Sequence, residues 1–138
     1  MRKLALLTLT VAVTAALAAC SGMSGTAQGP DPNIFPSDWQ NEIINTLSST
    51  LDDPNAIRQA SVTNPVLKAA GTEQRYVVCM RFDSRAINGR YVGLEERIAY
   101  FYAGHINQLV KAEAGQCAAA PYRPWPELEK FCLAKKCT

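Results

Sequence analysis

Five arginines, Arg75, Arg81, Arg85, Arg90 and Arg97, crowd a stretch between positions 75 and 97 that contains no lysine. A guanidinium is a planar fork of donors that matches carboxylate and phosphate oxygens, so arginine without lysine suits recognition of acidic groups. Arg81, Arg85, Arg90 and Arg97 are therefore the candidate partner-binding residues, with tyrosines close by in sequence. The competing expectation is that they pair across strands with Asp83, Glu95 and Glu96 on a solvated face. Catalytic groupings are not in view. His105 is the single histidine, and no activated nucleophile, GxSxG, HExxH or glycine-rich phosphate loop accompanies it. Asp52-Asp53 and Glu95-Glu96 are adjacent pairs, whose side chains diverge on a strand rather than converge on one substrate atom. The expectation is no catalytic residue, no cofactor and no metal site.

The cysteines carry the remaining chemistry: Cys20, Cys79, Cys117, Cys132 and Cys137. Cys20 follows Leu17-Ala18-Ala19, behind a charged Met1-Arg2-Lys3 start and an apolar run from Leu4 to Leu17. A positive start, an apolar core and small residues make a secretory signal peptide. The run is shorter than the ~20 residues a spanning helix needs. The placed cysteine resembles a bacterial lipoprotein lipobox. That resemblance implies cleavage before Cys20, lipidation of its sulfur and a membrane partner held through several acyl chains, which anchor stably where one does not. Ser21, rather than Asp, leans towards the outer membrane, facing the periplasm. The alternative is an ordinary signal peptide cut after Ala18 or Ala19.

Four cysteines then remain in an oxidising compartment, and an even number there reads as two disulfides. Of three connectivities, Cys79–Cys117 with Cys132–Cys137 is the expected one. Zinc is the alternative, but no CxxC pair is present and the histidine is remote.

Removing residues 1–19 removes Arg2 and Lys3 and leaves twelve basic against twelve acidic residues. A near-neutral exported domain lacks the basic excess of a nucleic-acid binder. The partners left are an envelope protein, peptidoglycan or lipopolysaccharide. The function expected is a non-catalytic binding or structural module of the cell envelope. The alternatives are an enzyme with an unrecognised site or an inhibitor of an envelope enzyme.

The elements that position these residues follow from periodicity. Residues 20–34 are rich in Gly, Ser and Pro and read as a flexible tether, ahead of a single domain over 35–138. Ser37 and Gln40 have capping-box spacing. Trp39, Ile43, Leu47 and Leu51, with Ile44, make one helix face that ends at Asp52-Asp53-Pro54. Trp39 is a core anchor in this reading. Arg58 to Val62 is a short strand, and Asn64-Pro65 and Gly71-Thr72 are turns. Arg75 to Asp83 alternates, with Tyr76, Val78, Met80 and Phe82 on one side and Val77, Cys79, Arg81 and Asp83 on the other. Asn88-Gly89 signals a two-residue hairpin turn. The return strand runs from Arg90 to about Ala103, with Gly93 as a bend or bulge. Ile106 to Lys111 is a last strand, 115–124 a loop, and a helix starts after Pro126. The fold class is α+β: an N-terminal helix, an antiparallel three- to four-stranded meander sheet and a short C-terminal helix.

Leu51-Asp52-Asp53-Pro54, Val78-Cys79-Met80-Arg81-Phe82-Asp83 and Asn88-Gly89-Arg90-Tyr91-Val92-Gly93 together resemble a group of small proteobacterial periplasmic or lipoprotein domains of unknown function. Ala120 to Glu129 resembles the end of small alphaproteobacterial lipoproteins of this sort. Met80 stands where that pattern has Gly, and Asp83 where it has Asn. The resemblance implies a small exported domain and carries no activity, catalytic residue or ligand.

Overall fold

A computed structural model describes residues 29–131. The expected signal segment, Cys20, Cys132 and Cys137 lie outside the described residues, among which no helix is long and apolar enough to cross a membrane.

Helix α1 (Trp39–Thr50) buries the apolar stripe Trp39, Ile43, Ile44 and Leu47. The expected capping box does not form. The N-cap is Asp38, one residue past Ser37, and no side chain caps the free N–H groups. Asp38 instead accepts a hydrogen bond from the Asn41 amide at 2.6 Å. The helix ends before Asp52-Asp53-Pro54, and β1 (Asp53–Val62) begins at once.

The sheet has six strands rather than three or four. β2 (Val66–Ala70), β3 (Glu73–Arg85), β4 (Tyr91–Tyr102), β5 (His105–Lys111) and β6 (Arg123–Pro124) complete it. Neighbours run β5-β4-β3-β1-β6, with β2 also on β3. All its pairings are antiparallel. β3 is long enough to take two partners along one flank: β2 beside Glu73–Val77 and β1 beside Met80–Arg85. Asn64-Pro65 separates those two, so one side of the meander counts as two strands. β6 is two residues that pair with Ser61 and Val62.

The hairpin between β3 and β4 also differs from expectation. Its loop covers residues 86–90 rather than two, closed by Ala86 N–H to the Arg90 carbonyl at 2.8 Å. Two carboxylate or amide oxygens hold it open: Asp52 accepts from Ile87 N–H and Asn88 from Arg90 N–H. Gly93 adopts φ +97°, left-handed space that suits glycine. The β3–β4 register slips beside it, between Asp83 and Arg85.

Both faces of β3 are used. Val78, Met80 and Phe82 meet α1, Ala99, Phe101 and Trp125 in the main core. The opposite face packs Val77 and Cys79 with Ile98 and Cys117. Cys79 and Cys117 form a disulfide with Cα atoms 5.9 Å apart. It pins the segment leading to β6 across that second face. Helix α2 (Pro126–Glu129) follows, with Leu128 and Trp125 buried in the main core. Trp39 is in the core as expected, 6.1 Å from Trp125 between ring centroids.

Candidate functional site

Strand alternation and the register slip set where each arginine goes. Arg81 and Arg97 leave the sheet on opposite faces, because Arg81 lies across from Glu96 while Arg97 lies across from Met80. Arg81 donates to Ser61 at 2.9 Å and stacks over the Tyr122 ring at 4.3 Å. Arg97 reaches Glu95 at 3.4 Å on the α1 face, over the Phe82 ring, with its Nε buried and unpartnered. Arg85 gives Nε and Nη2 to one oxygen of Asp53, at 2.9 and 2.5 Å. That hydrogen bond holds the Asp53 carboxyl below its ordinary range, against an opposing contribution from burial. Arg75 pairs with Glu73 and covers the Tyr102 ring.

Arg90 is different. It is exposed at the hairpin loop, and its side chain has no ion pair or hydrogen bond among the described residues. The structure thus gathers Arg85 and Arg90 at one end of the sheet and separates Arg81 and Arg97. A notch of about 160 Å3 near that end is lined by Thr50, Asp52, Ser84, Arg85, Glu95 and Arg97. Its two arginines already have carboxylate partners, so it offers little net charge to an anion.

What surrounds Arg90 is apolar. Ile87 is 90% exposed, Leu94 55% and Val92 53%, with Tyr91 also exposed. The tip of the β3–β4 hairpin therefore exposes several apolar side chains and one unpaired guanidinium. A buried carboxylate stiffens its base. Asp83, 2% exposed, accepts from Arg58 Nη2 at 2.7 Å and from Gly93 N–H at 2.8 Å. Arg58 also lies 3.7 Å over the Tyr91 ring. Sequence reasoning placed Arg58 on a strand but had no signal for its partners, which are 25 or more positions away.

On the same face as Arg81, the Tyr122 hydroxyl donates to Glu96 at 2.5 Å. Burial, then the Glu96 bond, raises the Tyr122 pKa. His105 is not in the turn itself but is the exposed first residue of β5, with Nδ1 2.8 Å from Glu42, whose other oxygen accepts from Ile106 N–H at 2.6 Å. Glu42 here ties α1 to the start of β5, a structural use. Among the described residues no three His, Cys, Asp or Glu side chains gather as a metal would need. Comparison with family models, curated proteins and solved structures finds no match for this chain.

Proposed function

We propose that this protein is a lipid-anchored module of the bacterial cell envelope that binds a partner protein through the tip of its β3–β4 hairpin. One observation carries the reading: Ile87, Val92 and Leu94 stay exposed near an unpaired Arg90 at the end of the β3–β4 hairpin. Several large apolar side chains left in water at one loop suit an interface better than a bare surface. Arginine and tyrosine are the side chains that most often dominate such contacts. The Cys79–Cys117 disulfide suits an oxidising compartment, and the signal segment with Cys20 suits export and lipidation.

The place where residues 29–32 join the domain supports the same reading. Pro32 accepts a hydrogen bond from Ala103, and Gly29 to Pro32 lie beside Glu73 and Tyr102. That is the opposite end of β3 and β4 from the hairpin tip, about 40 Å away for a 13-residue strand. A lipid on Cys20 would therefore join the domain at the end of the sheet opposite the tip and leave the tip free for a partner.

The test is capture from native envelopes. The lipidated protein should be recovered with a discrete protein partner. Arg90→Ala, Ile87→Ser or raised salt should weaken recovery, with thermal midpoint unchanged. Equal recovery by the double variant at every salt concentration would overturn the hairpin as the contact.

A further inference from the structure

We infer that the outer edge of β2 and the slot beside it bind an extended segment of another polypeptide, one that carries an aliphatic side chain next to a carboxylate. This site is separate from the hairpin tip and stands without it.

The edge is open. β2 pairs with β3 on one flank and, among the described residues, with nothing on the other. The ladder phase says which groups are free. Thr63 N–H bonds the Cys79 carbonyl at 2.9 Å, so the odd residues of β3 bond towards this flank. Their partners on β2 are Val66, Lys68 and Ala70. Leu67 and Ala69 therefore aim N–H and C=O outwards, four backbone groups able to take an added strand.

The edge also has a specificity pocket. Between β2 and the disulfide-pinned segment 118–121 lies a slot of about 290 Å3, lined by Val66, Leu67, Cys79, Ala118, Ala120 and Pro121 among others. Three successive alanines, Ala118 to Ala120, leave it unfilled. A strand bonded to Leu67 would turn its next side chain onto the slot's face. The slot is small for a whole ligand and suits one aliphatic side chain. Val66 and Leu67 are 41% and 42% exposed, so both faces of the edge are apolar.

Charge selects the occupant. Lys68 also borders the slot, and among the described residues its Nζ bonds only the Gln116 carbonyl, at 3.4 Å. A carboxylate beside the aliphatic side chain would pair with it. The chain's own segments fit poorly. Residues 21–28 hold no acidic and no branched aliphatic residue, and residues 132–138 bring Lys135 and Lys136. A second copy adding β2 to β2 would bring a second Lys68. The occupant is a different chain.

Selection of random displayed hexapeptides on the full disulfide-bonded protein tests this. Enriched sequences should alternate aliphatic residues and carry Asp or Glu. Leu67→Pro removes one outward N–H and leaves the β2–β3 ladder intact. It should weaken the enriched synthetic peptides at least about tenfold in fluorescence anisotropy, with thermal midpoint little changed. Lys68→Glu should redirect selection to basic sequences. On the unaltered protein, N-methylation of alternate peptide amides should abolish binding, and N-methylation of the amides between them should not. That last comparison stands even if Leu67→Pro fails to fold. No enrichment, equal binding by a folded Leu67→Pro protein, or indifference to N-methylation would each overturn the inference.

Discussion

Removing the Cys79–Cys117 bridge is the sharpest test of how the second face is held. The two residues are 38 apart in sequence. Closing a loop of that length removes unfolded-state entropy worth about 4 kcal/mol at 25 °C in the chain-entropy model. The perturbation is Cys79→Ala with Cys117→Ala, which also deletes two buried sulfurs packed with Val77 and Ile98. The packing loss adds to the entropic one, so about 4 kcal/mol is a lower figure. Trp39 and Trp125 are both buried, and their fluorescence follows unfolding in urea. With a urea slope of about 1.5 kcal/mol/M, the midpoint should fall by about 2.5 M. The main core is on the other face and should persist, so the variant should still show a cooperative transition. A fall of less than about 0.7 M would refute the reasoning, because the bridge would then contribute under about 1 kcal/mol. Cys137→Ala should cost less, about 2 kcal/mol, since the expected loop to Cys132 is short.

Intact mass of protein extracted from membranes should show acyl additions on a chain that starts at Cys20; an unmodified soluble product would contradict lipidation. Asp83→Ala should cost about 2–3 kcal/mol in urea unfolding, because it removes the buried acceptor shared by the Gly93 N–H and the Arg58 guanidinium, whereas Asp83→Asn keeps an acceptor for the Gly93 N–H and should cost less. The folded-state pKa of Asp53 lies below its unfolded value of about 3.8. Its contribution is therefore fully present above that value and is lost as pH falls through the lower folded pKa. Asp53→Asn should lower the neutral-pH midpoint and flatten the acid side of a stability profile between roughly pH 2 and 5; an unchanged acid limb would rule out the Arg85 pair as a contributor.

The parts legible in sequence were those where one side chain's burial follows from a regular period. The α1 stripe from Trp39 to Leu47 and the two-sided alternation of β3 were readable because helix and strand geometry alone decide them. The Cys79–Cys117 pair was the expected one of three connectivities, joining the central strand to the segment after the sheet, and the structure forms it. β2 was not, because Val66 to Ala70 is an exposed edge and shows no alternation of apolar and polar residues. β1 began five residues earlier than expected; its register breaks twice and Gln59 takes φ +56°, which scrambles its period. β6 exists only through its pairing with β1. The five arginines looked like one cluster because they are close in sequence. The slip between Asp83 and Arg85, and the alternation along β4, send them to different faces and partners. The exposed apolar tip depends on Asp52, at the far end of α1, holding Ile87 in an open loop. No local pattern contains that contact.

The most direct test of the account places a photoreactive residue at position 87 of the chain in its native envelope, with a matched probe at Asn45 on the exposed side of α1. The account predicts one discrete protein adduct at position 87, absent at position 45 and reduced by Arg90→Ala. No adduct at position 87, adducts to lipid alone, or the same adducts from both positions would contradict it.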